Sequence, residues 1–248
     1  MITIIMSGGL GKRMNSDLPK VLHPINNKPM ICYVIENAIQ IGSSKILIVV
    51  GKYKNIIRTQ IEQHFKNTSI FEYIDQPEPL GTGNAIQCCV SYFIENKIPI
   101  DTNILILSGD VPLITRQTLV KLTAIQNSLL ITKSDNPTGC GRIIFNDDNT
   151  IRKITEEKDC SASEKKIQYV NCGIYHISVD FLYKTVPFIR NLNASSEYYL
   201  TDIVEIANDK NIGMIYYDLP IQNKYQILNI NTPDELLIAN EIFSKKSS

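Results

Sequence analysis

The chain has no tryptophan and three histidines, His23, His64 and His176, spread over 248 residues. Those histidines form no H-E-x-x-H zinc helix, and no G-x-S-x-G elbow supplies a nucleophilic serine. An excess of either charge is also missing, with Lys+Arg and Asp+Glu both at 25. A neutral chain has no broad field for gathering nucleic acid or an anionic membrane, so neither is an expected partner, and a phosphate ligand must be held by local groups. No apolar run approaches the ~20 residues of a membrane span. Residues 1–6 run directly into a glycine loop, too short a stretch for a signal peptide, so the expected location is the cytoplasm. The six cysteines (Cys32, Cys88, Cys89, Cys140, Cys160, Cys172) contain no C-x-x-C. Their spacing suggests neither a zinc site nor a disulfide framework, and reduced thiols are expected.

What is present is ordinary for a globular protein, with 44% apolar and 20% charged residues, enough to bury a sizeable core. Apolar runs at 2–6, 45–50, 69–74 and 104–107 read as strands. Between them, 29–41, 56–65 and 83–94 carry helical spacing, with Pro29 suited to a first helical position and Gly42 to the exit. This alternation indicates parallel β-α-β units, whose ligands bind beyond the carboxyl ends of the strands. After about residue 130 the pattern shifts to short strands at 128–133, 142–145 and 151–155 and a longer one at 167–177, a mixed or antiparallel region on the same sheet. A helix at 202–207 and a strand at 214–217 follow. Thr232, Pro233 and Glu235 form a capping box for a last helix reaching about Phe243. The expected organisation is one domain over 1–248: a nucleotide-binding half at 1–125, a sugar-binding half at 126–231, and a C-terminal helix and tail at 232–248.

Five segments could carry chemistry. Ser7-Gly8-Gly9-Leu10-Gly11-Lys12-Arg13, extended to Lys20, combines glycines that let backbone N–H groups approach a polyphosphate with two cations that bind it, Arg13 as a fork and Lys20 as a point charge. The alternative is a glycine turn with two solvated cations. The spacing is neither a Walker loop nor G-x-G-x-x-G. Asp110 follows an apolar strand, where a carboxylate suits Mg²⁺, which takes one or two protein oxygens besides phosphates and waters; the alternative is a helix cap or turn aspartate. Gln76 and Gly81-Thr82 suit a base or ribose, or else a helix-capping turn. Gly141, the charge run 156–159 and Asn171 form a fourth set, with a solvated face as the alternative for the charge run. The side-chain oxygen of Asn231 reads as a second metal ligand at a strand end, or as an ordinary turn residue.

The order of these segments is more specific than any one of them. The chain resembles the bacterial N-acetylglucosamine-1-phosphate uridylyltransferases, through G-G-x-G-x-R-M and L-P-K-V-L-H at 8–23, L-G-T-G at 80–83 and G-D-V-P-L-I at 109–114. P-T-G-x-G-R-I at 137–143, E-x-K-D at 156–159, N-x-G-I at 171–174 and E-Y-Y-L-T-D-I at 197–203 continue the match, to about residue 240. The resemblance implies a Rossmann-like α/β nucleotidyltransferase fold with a mixed, mainly parallel central sheet and a smaller sugar-binding β region. It implies UTP and a sugar 1-phosphate as substrates. Ser7, Gly8, Gly9, Gln76, Gly81 and Thr82 would hold the nucleotide. Arg13 and Lys20 would be catalytic, Asp110 and Asn231 would bind Mg²⁺, and Gly141, Glu156, Asn171 and Thr201 would hold the sugar. Glucose 1-phosphate with UTP or dTTP, or a non-catalytic sugar-nucleotide sensor, are the alternatives. Lys12, Ser108 and Cys140 depart from residues usual in the family. The match also stops before the acetyl-transferring β-helix of the bifunctional enzymes, so acetyl transfer is not carried over.

Overall fold

The computed structural model describes residues 1–9 and 11–247; the side chains of Lys12, Lys246 and Ser247 also fall outside the described set, and with them the departure at Lys12. In chain order, β1 is Ile2–Met6, β2 Pro24–Ile25, β3 Lys28–Pro29, α1 Met30–Gln40, β4 Lys45–Val50, α2 Lys54–His64 and β5 Phe71–Asp75. Next come α3 Thr82–Glu95, β6 Asn103–Ser108, α4 Arg116–Thr123, β7 Ser128–Lys133, β8 Arg142–Phe145, β9 Ile151–Thr155 and β10 Tyr169–Ser178. The chain ends with α5 Val179–Thr185, α6 Asp202–Asp209, β11 Ile215–Leu219 and α7 Pro233–Ser247.

The main sheet has the order β11-β7-β10-β6-β1-β4-β5, with β8 and β9 branching from β10, and β2-β3 form a separate small antiparallel sheet. β6, β1, β4 and β5 run parallel, as do β7 and β11, while β10 is antiparallel to both neighbours. The fold is thus the expected α/β nucleotidyltransferase type with a mixed, mainly parallel sheet. Its central strands read as unbroken apolar runs because both faces are covered. Ile4, Leu47, Val49 and Ile106 pack under α3, α5 and α6, while Ile5, Ile46, Ile48 and Leu105 pack under α1, α2 and α4. A third, smaller cluster of Ile25, Met30, Leu113, Ile230 and Ala239 seats α7 beside the loop that leaves β6.

Several local expectations change. Pro29 caps α1 from outside and closes the β2-β3 hairpin instead of opening the helix. α4 and α5 went unread: α4 buries only Thr118, Leu119 and Leu122, too few for a clear period, although Thr115 caps it by accepting the Thr118 N–H. Asn231 does not sit at a strand end. Residues 221–227 wind as a 3₁₀ helix, and the extended piece beyond it meets the β6 side through Ile230 N–H to the Asp110 carbonyl at 2.9 Å, too little for a ladder. The capping box forms as read: Glu235 accepts from the Asn231 and Thr232 N–H groups, and the Glu235 N–H donates to the Thr232 hydroxyl. Loss of such a cap costs roughly 1 kcal/mol, and α7 runs on to Ser247.

Candidate active site

The site grows from the parallel neighbours β1 and β6, whose carboxyl ends lie side by side. Beyond β1, the Ser7 N–H continues the ladder to the Val49 carbonyl and its hydroxyl turns back onto the same oxygen at 2.6 Å. Both Ser7 donors are therefore spent on Val49, which leaves its oxygens as acceptors. Beyond β6, the Gly109 N–H returns to the Met6 carbonyl at 2.9 Å, which sets Asp110 against the glycine loop. A cleft of about 560 Å³ opens between them. Its lining includes Ser7, Gly8, Gly9, Gln76, Gly81, Thr82, Lys20, Asp110 and Asn231, so nine of the residues singled out in the sequence meet in one place.

Gly8 lies so close to Gln76 that a Cβ on it would sit 2.7 Å from the Gln76 Oε1. The Gln76 Nε2 donates to the Gly81 carbonyl at 3.0 Å and to the Asn84 Oδ1 at 3.1 Å. That fixes the amide, with Oε1 left as its acceptor end. The Thr82 hydroxyl accepts from the Leu200 N–H at 3.0 Å, and so ties the start of α3 to the 197–201 segment.

On the opposite wall, Lys20 Nζ ion-pairs with the Asp110 carboxylate and donates to the Asn231 Oδ1 at 2.9 Å. Both side chains of the ion pair are largely withdrawn from water, at 14% and 8% exposure. The other Asp110 oxygen accepts from the Ser108 hydroxyl at 2.6 Å. The Asn231 Nδ2 donates to both the carbonyl and the Oδ1 of Asn229, which turns the Asn231 oxygen toward the lysine. Two hard oxygens from distant parts of the chain thus converge on one cation. Arg13 stands on the exposed rim and lines, with Gly11, Lys20 and Asn231, an adjoining recess of about 160 Å³.

Gly141, Glu156, Asn171 and Thr201 form a second group that does not line the main cleft. The Thr201 hydroxyl donates to Glu156 at 2.9 Å, and the Asn171 N–H donates to the Gly141 carbonyl at 2.9 Å. Burial raises the Glu156 carboxyl above its ordinary pKa, and the Thr201 bond pulls the other way. The Asn171 Nδ2 donates to the Tyr175 hydroxyl beside a bulge in β10. The two groups are joined through 197–201: Glu197 reaches the cleft, and Tyr198 bonds both the Gly83 N–H and the Leu80 carbonyl.

Sequence reasoning passed over three residues here. Ser108 was noted only as a departure, although it touches Asp110. Asn229 carried a signal, since residues two apart on an extended segment share a face. Glu197 carried none beyond its place in the matching run.

Next to Thr201, Asp202 is half-buried near Glu205, Glu156 and Asp159; desolvation first, then these neighbours, lift its carboxyl to about 6. A carboxyl raised on folding favours the folded state while protonated. The favour is complete below the unfolded pKa of about 3.8 and is lost as pH rises through about 6. Asp202→Asn is therefore expected to melt higher than wild type at pH 8 and level with it at pH 3.5. A pH-independent difference in Tm would refute this.

A model of the nucleotidyl transferase family matches residues 2–221 of the chain. A probable UDP-N-acetylglucosamine pyrophosphorylase of Acanthamoeba polyphaga mimivirus is 42% identical over 241 residues, covering 94% of this chain and 92% of the relative. The bifunctional protein GlmU of Thermoanaerobacter pseudethanolicus is 36% identical over 252 residues, covering 99% of this chain and 52% of its own. That of Acinetobacter baylyi is 39% identical over 225 residues, covering 88% and 47%. The chain thus spans about half the length of these bifunctional relatives. With the family model matched along most of its length and a relative aligned nearly end to end, the chain belongs to the nucleotidyl transferase family and is a nucleotidyltransferase.

Proposed function

We propose that the protein transfers a uridylyl group from UTP to N-acetylglucosamine 1-phosphate in the cytoplasm, releasing UDP-N-acetylglucosamine and pyrophosphate, with Mg²⁺ held by Asp110 and Asn231. The observation that carries this reading is the convergence of the Asp110 carboxylate and the Asn231 amide oxygen on a single cation, the Lys20 ammonium, at the wall of the cleft. The ammonium stands in for a metal, and one carboxylate plus one amide oxygen is a donor set that magnesium accepts when phosphates and waters supply the rest. When bound there, the metal supplies charge neutralisation for the nucleotide and sugar phosphates.

The chain's own residues do the remainder. No covalent nucleophile is needed, because the attacking group is already an anion. An oxygen of the sugar phosphate forms a bond to the α-phosphorus of UTP, the bond from that phosphorus to the β-bridging oxygen breaks, and pyrophosphate carries away the electron pair. Catalysis then rests on positioning and on charge set against the developing charge. Lys20 and Arg13 face the phosphates, Arg13 from the rim. The glycine loop brings backbone against the nucleotide. The Gln76 amide, both of whose donors are engaged on Gly81 and Asn84, would offer its Oε1 to the base. That acceptor suits a base with an N3–H, such as uracil, and meets a lone pair in cytosine. Glu156, Asn171, Thr201 and the Gly141 backbone would take the hydroxyls and acetamido group of the sugar. The name of the mimivirus relative, a probable UDP-N-acetylglucosamine pyrophosphorylase, agrees with this substrate pair.

The test is a pyrophosphate-release assay pairing UTP, dTTP, CTP and ATP with N-acetylglucosamine 1-phosphate and glucose 1-phosphate, with and without magnesium. UTP with the N-acetyl sugar should be fastest, CTP poor, and all turnover magnesium-dependent. Faster turnover of glucose 1-phosphate would overturn the sugar, and full turnover in a chelator would overturn the metal.

A further inference from the structure

Arg142 is the bulkiest side chain that the fold buries completely, at 1% exposure, and it lies outside the cleft. A buried guanidinium costs several kcal/mol in desolvation, so an apolar side chain of like volume is often no worse for stability. What the arginine does is local. One terminal nitrogen donates to the Cys140 carbonyl, and the other pairs with the Glu157 Oε2; its Nε has no partner among the described residues. The same Glu157 oxygen accepts the Gly139 N–H at 3.1 Å. The Arg142 bond first, and the Gly139 N–H second, hold the Glu157 carboxyl below the ordinary range, so it is ionised.

One ion pair thus grips the Gly139 N–H and the Cys140 carbonyl of the 137–140 turn, which closes on itself through Cys140 N–H to the Pro137 carbonyl at 3.1 Å. The next residue, Gly141, is pressed against β9 and Glu156: a Cβ there would lie 2.8 Å from the Ile154 Cγ2 and 3.5 Å from the Glu156 Oε1. Glu157 directly follows Glu156. Through covalent neighbours at both ends, the pair therefore sets where the Gly141 backbone stands relative to the Glu156 carboxyl.

We propose that Arg142 and Glu157 are a positioning pair for the sugar 1-phosphate. They hold the Gly141 backbone and the Glu156 carboxyl side by side, where both can meet the sugar, and neither touches the reacting atoms. This rests on the reading of Gly141 and Glu156 as sugar-binding. A buried polar pair kept for geometry should reveal itself as a selective loss, because misplacing binding groups by a fraction of an ångström weakens that substrate alone.

The test measures KM for each substrate and Tm in wild type, Glu157→Gln and the double variant Arg142→Met/Glu157→Gln. The single variant strands a buried cation and should melt lower; the double variant removes both charges and should recover Tm. In both, KM for the sugar 1-phosphate should rise about tenfold, with KM for UTP within about twofold of wild type. Arg142→Lys keeps the charge but loses the fork to Cys140, and should show a smaller rise in the same KM. Parallel rises in both KM values, an unchanged sugar KM, or a sugar KM that returns with Tm in the double variant would each overturn the proposal. The assay uses whichever sugar 1-phosphate wild type turns over fastest. A different preferred sugar would then count against the function proposed above and leave this test intact.

Discussion

Asp110→Ala is expected to lower turnover by about 10³-fold, the scale seen when a preorganised electrostatic group is removed from a reacting centre. Asp110 stands at the join of the polar contacts on the Lys20 wall of the cleft. Its carboxylate pairs with Lys20, accepts from Ser108, and shares its cation with Asn231. Among the described residues that line the cleft, truncation leaves Glu197 as the one remaining carboxylate. The fold should survive, because the backbone at this position is held separately: the Asp110 carbonyl accepts from Ile230 and the preceding Gly109 N–H bonds Met6. Asp110→Asn sharpens the reading. It keeps the shape and the Ser108 contact while dropping the charge, so a loss nearly as large as for alanine assigns the effect to charge and not to packing. Pyrophosphate release at saturating substrates, beside a thermal melt, measures both. Turnover within threefold of wild type in a folded variant would remove Asp110 from the reaction.

The parts of the molecule that were legible in the sequence are those whose physics is local. β1, β4 and β6 declare themselves as short β-branched runs because each is buried on both faces, and the capping box before α7 is three residues of side-chain chemistry. The glycine loop and Asp110 were readable as strand ends. What joined them was not. Lys20 and Asp110 are 90 positions apart and Lys20 and Asn231 are 211 apart, so no window of sequence holds their contact. The acidic run at 156–159 shows the limit most clearly. As sequence it reads as a solvated face, yet its adjacent glutamates have opposite fates. Glu156 is buried beside Thr201 and its carboxyl is raised, whereas Glu157 is ionised by Arg142 and the Gly139 N–H. Only the hairpin of β8 and β9, laid against β10, decides which is which. Arg142 had no signal beyond its place in the matching run at 137–143: a single arginine between a glycine and two isoleucines gives no hint that it is interior.

The second large effect is expected at Lys20, and it should carry two signs at once. Its ammonium occupies the oxygens of Asp110 and Asn231 that the proposed metal would use. On the proposed reading a divalent ion and the lysine compete for one place, and the lysine would leave it to meet the triphosphate. Lys20→Met deletes the competitor. Without metal, the variant leaves an Asp110 side chain only 8% exposed with no cation beside it, and Tm should fall. Added magnesium should then raise Tm more than in wild type, because an ion that binds only the folded state stabilises in proportion to its affinity. Calorimetric titration of the free enzyme with Mg²⁺ or Mn²⁺ should likewise give tighter binding in the variant. Turnover should move the other way, down by about 10²-fold, since the charge proposed to act on the phosphates is gone. A merely structural lysine would weaken metal binding and turnover together. Tighter metal binding with slower chemistry is the outcome that only a shared site produces, and equal metal affinity in the two proteins would exclude it.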